Sequence, residues 1–204
     1  MGSFYRRKGK RLLDLFGAVG GLVITAPGQA VVGVLIRRKM GSPVLFRQSR
    51  SGLEGRNFQM LKFRTMRQVS PGGDALASDA ERLTPLGRLL RNTSFDEVPE
   101  LWNVLRGDMS LVGPRPLLPE YVPRYTPEEW RRHQVRPGMT GWAQVNGRNE
   151  LSWEEKFALD VWYVDKVSFR LDMLILWRTV CTVLSARGVS TKGHVSAPEF
   201  RSEV

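Results

Sequence analysis

Two adjacent carboxylates, Asp96 and Glu97, stand within a chain rich in candidate phosphate-binding cations. An ionised aspartate is a competent nucleophile toward phosphorus and a ligand for Mg2+. Inside a helix, consecutive side chains diverge by about 100° and share no site. At a helix start both can face one pocket, where free N–H groups and the helix dipole favour negative charge and attract phosphate. The same residues also read as plain capping. Ser94-Phe95-Asp96-Glu97 fits the capping-box pattern, with Pro99 tolerable in a first turn. The residues alone leave both readings open.

The cations around this dyad have a matching chemistry. Lys62 and Arg64 end an expected strand, Arg88 and Arg91 lie just before the dyad, and Arg115 sits between Pro114 and Pro116. Arg136 and Arg148 stand beside glycine-containing turns. Arginine forks suit phosphate oxygens bidentately and lysine supplies a point charge. For most of the 31 Lys and Arg residues a solvated basic surface is the simpler reading. An arginine held between two prolines is the least typical of a solubilising charge. Asp172, at the start of the last apolar helix, reads either as an N-cap or as a polar member of the site. His133 and His194 are the only histidines and Cys181 the only cysteine, so a Cys/His zinc site is not expected. A single cysteine allows no internal disulfide, which fits a reducing compartment.

The elements that must position these groups begin with a long apolar segment, Leu12 to Ile36, interrupted mainly by Asp14, Thr25 and Gln29. About 20 apolar residues can cross a bilayer. Arg6, Arg7, Lys8, Lys10 and Arg11 precede it, and Arg37, Arg38 and Lys39 follow it, so both ends ask for the cytoplasmic side. Pro27-Gly28 in the middle favours a break. A re-entrant helix-break-helix satisfies both facts; an ordinary span and a buried core helix are the alternatives. The segment is too long for a signal peptide. Gly17, Gly20 and Gly21 follow no strand, which argues against a dinucleotide loop.

Beyond it, residues 39–67 read as a hairpin, with strands over 44–46 and 58–63 around a turn-rich 52–57. Residues 68–80 read as a loop, 83–90 as a short helix and 94–106 as a capped helix. Proline-rich loops follow, then helices over 127–134, 152–164 and 171–185. The expected fold is α+β, mainly helical with a small β-hairpin: a membrane helix over 1–38 and a folded body over 39–204.

Composition narrows the partners. The chain has 204 residues, 42% of them hydrophobic, and a net charge of +11. That charge fits nucleic acid, an anionic membrane or phosphorylated substrates. A nucleic-acid partner is not expected, because it would leave the apolar segment and the Asp-Glu dyad unexplained.

Taken together, the segments resemble the bacterial sugar transferase family, the monotopic polyprenol-phosphate phosphoglycosyl transferases. The resemblance covers nearly the whole chain. It runs through residues 46–52 (FRQSRSG), 62–66 (KFRTM), 90–99 (LRNTSFDEVP), 107–116 (GDMSLVGPRP), 136–142 (RPGMTGW), 144–148 (QVNGR) and 163–165 (YVD). It implies a re-entrant membrane helix with its break at Pro27, a cytoplasmic catalytic domain at the bacterial inner membrane, Mg2+ at Asp96 and Glu97, a UDP-sugar donor and a polyprenyl phosphate acceptor. It further implies ping-pong chemistry. Asp96 attacks the sugar-proximal phosphate and releases UMP, Glu97 assists, and polyprenyl phosphate attacks the phosphosugar-aspartate. Lys62, Arg91 and Arg115 fall on the family's functional basic positions and Asp172 on an acidic one. Members often carry Ser-Pro at the break; this chain has Ala26-Pro27, with Thr25 or Gln29 left to satisfy a freed carbonyl. The tail over residues 193–200 is similar to that of small members using N-acetylated amino or diamino sugars. The sugar and the oligomeric state stay open. A non-catalytic, basic membrane-anchored adaptor is the competing reading, and it would tolerate loss of Asp96.

Overall fold

The structure, a computed structural model, describes residues 4–68, 79–147 and 150–184. Most of the expected loop over 68–80, Arg148 and the tail over 193–200 lie outside the described residues. The fold is mainly helical with two small sheets.

A short π-helical turn, Tyr5–Gly9, leads into helix α1, Lys10–Met40. This helix is long and apolar enough to cross a membrane. The expected division into two helices at Pro27 is not seen: α1 is one helix with Pro27 inside it. Proline removes one backbone donor and leaves the remaining ladder intact. Near it, Thr25 Oγ1 donates to the Gly21 carbonyl at 2.6 Å, and Gln29 Nε2 donates to Thr25 Oγ1 at 2.9 Å.

Strands β1 (Leu45–Ser51) and β2 (Asn57–Phe63) pair antiparallel, from Leu45↔Phe63 to Ser51↔Asn57, so the hairpin forms as expected with a longer first strand. Helix α2 (Pro85–Asn92) is capped by Thr84, whose Oγ1 accepts from Gly87 N at 2.9 Å, with Pro85 in the first turn. A 3-10 turn, Phe95–Glu97, precedes helix α3 (Glu100–Arg106), which stops at Gly107 in the left-handed conformation.

Strands β3 (Ser110–Val112) and β4 (Gly138–Thr140), to which the sequence reading assigned no strand, form a two-stranded parallel sheet beside the expected proline-rich loops over 113–116 and 136–138. Helices α4 (Trp153–Lys166) and α5 (Phe169–Leu184) are the last elements among the described residues. The core beside β3 gathers Val112, Tyr163, Val164 and Ile175.

One face of α1 rests on this body along its length. Arg11 donates to the Val104 and Leu105 carbonyls at the end of α3, and Asp14 accepts from Ser110 Oγ and Leu111 N. Ala18 packs with Leu101 and Met109, and Ile36 with Phe63 and Leu90. At Gly28 an added Cβ would lie 2.9 Å from the Phe95 ring, so glycine sets the approach there. The opposite face exposes Leu12, Phe16, Val19, Val23, Val31 and Val34, a three- and four-residue spacing.

Candidate active site

The Asp96-Glu97 turn lies between β2 and α2, and α1 touches it through Phe95 against Gly28. Ser94 takes a left-handed backbone, φ 55°, and its side chain makes no capping bond, so the expected capping box is not formed. Nor do the carboxylates cap α3, whose N-cap is Pro99 without a side-chain bond. The helix begins later than the local pattern suggests, and the dyad is released from capping.

Asp96 is 8% exposed. Burial, and then the charge of Glu97, raise its carboxyl, while Lys62 and Arg91 act in the opposite sense. Glu97 accepts on one oxygen, Oε1, from Lys62 Nζ at 2.5 Å and Arg115 Nη2 at 2.9 Å. Burial opposes its charge, but Arg115 and Lys62 outweigh that and hold the carboxyl well below the usual range. In return Glu97 raises the pKa of Arg115.

Each cation is set by its element. Asn103 on α3 clamps β2 on both sides, accepting from Leu61 N at 3.0 Å and donating to the Gln59 carbonyl at 2.7 Å, which places Lys62 beside α3. Arg91, on α2, donates through Nε to Thr65 Oγ1 at 3.2 Å. That helix sits close, since a Cβ at Gly87 would fall 1.9 Å from the Thr65 carbonyl oxygen.

Arg115 follows the carboxyl end of β3. Gly113 N donates to the Thr140 carbonyl and Gly138 N to that of Pro114, both under 3.0 Å, so the base of the Pro-Arg-Pro loop is fixed by backbone. Arg132, buried and paired with Asp160 at 2.7 Å, also donates to the Arg115 carbonyl at 2.7 Å. Carboxyl ends of parallel strands are where α/β folds commonly bind ligands.

Thus the structure brings together Lys62, Glu97 and Arg115, with Asp96 and Arg91 beside them. It does not bring in three others. Arg64 spends its guanidinium on the carbonyls of Met40, Gly41 and Ser42, closing the end of α1. Arg136 Nε donates to the Gly107 carbonyl at the end of α3. Asp172 lies toward the other end of α1, accepting from Lys10 Nζ at 2.7 Å, Tyr5 OH at 2.6 Å and Tyr163 OH at 2.7 Å. Lys10 and Gly28 are 18 residues apart on the helix, which separates the Asp172 cluster from the dyad by about 27 Å at 1.5 Å per residue. Ser168, not Asp172, bonds the first turn of α5, through Leu171 N.

Two site neighbours escaped the sequence reading. Glu100, buried on α3, lies 3.2 Å from Lys62 Nζ. Burial and the Glu97 charge lift its carboxyl to about 7 against the pull of Lys62 and Arg115. Its helical offset of three from Glu97 was the available signal. Arg50 on β1 reaches the Pro116 carbonyl, and burial followed by the charge of Arg115 lowers its pKa.

Among the described residues no group of three or more His, Cys, Asp or Glu forms a protein-only metal cage. Magnesium commonly needs only one or two carboxylates, completed by substrate phosphates and water. Asp96 and the free oxygen of Glu97 fit that donor set.

The sequence model of the family described as bacterial sugar transferase matches residues 5–186. The uncharacterized sugar transferase EpsL of Bacillus subtilis is 52% identical, across 94% of this chain and 95% of that protein. A UDP-glucose:undecaprenyl-phosphate glucose-1-phosphate transferase of Caulobacter vibrioides is 41% identical, across 86% of this chain and 70% of its own length. The UDP-galactose-lipid carrier transferase of Erwinia amylovora is 36% identical across 88% of this chain, which spans 41% of that longer protein.

Proposed function

This chain belongs to the bacterial sugar transferase family, and from that premise we propose that it moves a sugar-1-phosphate from a UDP-sugar to a polyprenyl phosphate, an early membrane step of bacterial glycoconjugate assembly. The carrying observation is a buried aspartate that caps no helix and lies beside Lys62, Arg91 and Arg115.

In this reading an Asp96 carboxylate oxygen attacks the sugar-proximal phosphorus. The bond from that phosphorus to the bridging oxygen breaks, and UMP leaves with the electron pair. An oxygen of polyprenyl phosphate then attacks the phosphosugar-aspartate, restoring the Asp96 carboxylate and giving polyprenyl-diphosphate-sugar. Arg115 and Lys62 bear the charge gathering on the phosphoryl oxygens, and Arg91 supports the ionised aspartate. Burial of Asp96 removes water that would hydrolyse the intermediate. When magnesium is bound, Asp96 and Glu97 would hold it, and it would supply charge neutralisation at the diphosphate.

The decisive assay is UMP release from a panel of UDP-sugars with undecaprenyl phosphate and magnesium. One productive sugar is expected to release UMP and label the lipid. No UMP from any donor would leave the adaptor reading standing.

In this reading residues 1–38 form a membrane element that keeps both of its ends on the cytoplasmic face of the inner membrane, with 39–204 as the catalytic portion in the cytoplasm. Two observations support it. Both ends of α1 rest on the same body, through Lys10 to Asp172 and Ile36 to Phe63, and both ends carry basic residues. A span perpendicular to the bilayer would carry one end about 30 Å from the other across the hydrocarbon. The check is impermeant maleimide labelling of Lys8→Cys and Lys39→Cys in a Cys181→Ser background. Both are expected to stay unlabelled in intact spheroplasts and to react after lysis. Reaction at position 8 before lysis would establish a span.

A further inference from the structure

Building on the phosphosugar-transfer reading, we infer that in the free protein the Glu97 carboxylate occupies the place of a donor phosphate oxygen, and that the donor binds by exchange: its diphosphate displaces Glu97 from Arg115 and Lys62 while Glu100 keeps Lys62 in place.

Lys62 Nζ and Arg115 Nη2 converge on the same atom, Glu97 Oε1, at 2.5 and 2.9 Å. An oxygen held between an ammonium and a guanidinium has the surroundings that such groups give a phosphate oxygen. A diphosphate reaching for the same cations meets a carboxylate already on them. Two anions in a poorly solvated site repel, so one has to move.

The local structure decides which. Glu97 lies in a single 3-10 turn behind a left-handed Ser94, and its side chain is 23% exposed. Rotation about its own side-chain bonds takes it off the cations without unwinding α3. Arg115 is 49% exposed, and its loop is held by its carbonyl, so the guanidinium is free to follow a phosphate. Glu100 has no such freedom. Its side chain is 4% exposed within α3, one turn from the Asn103 clamp on β2. It is a positioning residue, acting on the donor through Lys62.

The three carboxylates of this stretch therefore divide by mobility. Asp96 stays buried for attack, Glu97 yields its place, and Glu100 anchors. Neutralising Glu97 removes a competitor for the donor, whereas replacing Glu100 with an apolar residue removes an anchor. If the acidic residues acted only through their field, both changes would tighten anion binding.

The probe is UDP, titrated in EDTA so that neither metal nor turnover contributes, at one fixed pH for the parent and every variant. Glu97→Gln is expected to lower the UDP dissociation constant about tenfold, the scale of one charge-assisted hydrogen bond. Glu100→Leu is expected to raise it by a similar factor, and Glu100→Gln, which keeps an acceptor for Lys62, to leave it near the parent value. Tightening in all three variants, no tightening in Glu97→Gln, or no measurable UDP binding would overturn the exchange. If Glu100→Leu does not fold, the contrast between the two glutamine variants still decides. The UMP assay reads separately: a parent protein that turns over while the variants fail to diverge refutes the exchange alone. Divergent variants in a protein that releases no UMP refute the transfer reading alone.

Discussion

Asp96→Asn is expected to abolish UMP release while leaving the protein folded. Asparagine is close in size and fits the buried place that Asp96 occupies. It lacks the negative charge that attacks phosphorus. Asp96 caps no helix here, since the N-cap of α3 is Pro99, which makes no side-chain bond. The substitution therefore does not incur the roughly 1 kcal/mol that loss of a cap costs. Removing a charge that burial disfavours makes the folded variant no less stable, and the thermal unfolding midpoint in detergent should match or exceed the parent's. The rate should fall by about three orders of magnitude or more, equivalent to at least about 4 kcal/mol of transition-state stabilisation. Near-parental turnover would rule out a covalent aspartate and leave direct transfer between the two substrates. An unfolded variant would assign Asp96 a structural role that its present contacts do not explain.

The legible parts of this fold are those whose causes are local. The hairpin was readable because apolar residues of β2 follow a turn that includes Gly52 and Gly55. The helices expected over 83–90 and 152–164 form as α2 and α4, and the structure gives them equally local caps, Thr84 before Pro85 and Ser152 three residues before Glu155. The dyad shows the limit of local logic. Ser94-Phe95-Asp96-Glu97 has the letters of a capping box, yet Ser94 adopts a left-handed backbone and the helix begins at Glu100. The packing of Phe95 against Phe63 and α1 outweighs a cap worth about 1 kcal/mol.

Pairings across the chain were legible only in part. Lys62, Arg91 and Arg115 were candidates by residue type, the family resemblance singled them out from the other cations, and the structure supplies the reason they belong together. Strands β3 and β4, at three residues each, are too short to leave a periodic pattern, so the sequence reading assigned no strand to the parallel pair that seats Arg115. Arg64 and Arg136 have the composition of phosphate ligands. Their partners are carbonyls at the ends of α1 and α3, more than 20 residues away, which no local pattern encodes.

Asp172 is the sharpest such case, and Asp172→Asn is expected to destabilise the protein by about 3–5 kcal/mol, the usual cost of breaking a buried ion pair from one side. The Asp172 side chain is fully buried and that of Lys10 is 11% exposed, so water screens the pair little. The carboxylate accepts from three groups, Lys10 on α1, Tyr5 before it, and Tyr163 on α4. Asparagine brings an N–H2 group into a site crowded with donors and leaves the Lys10 ammonium without its counter-charge. The loss falls where α1 meets the rest of the molecule, so the N-terminal part of the helix should be the first to open. Hydrogen exchange in detergent should register this as faster exchange over residues 10–18 than over residues 30–40. The dyad lies about 27 Å away along α1, so the fraction that stays folded should keep its KM for the UDP-sugar. Pairing Asp172→Leu with Lys10→Met removes both charges together and should recover part of the lost stability, because a buried ion pair replaced by apolar residues is often close to neutral. Full recovery is not expected, since Tyr5 would lose the acceptor for its hydroxyl, whereas Tyr163 keeps the Val112 carbonyl at 3.2 Å. A single variant as stable as the parent but with a raised KM would return Asp172 to the substrate site.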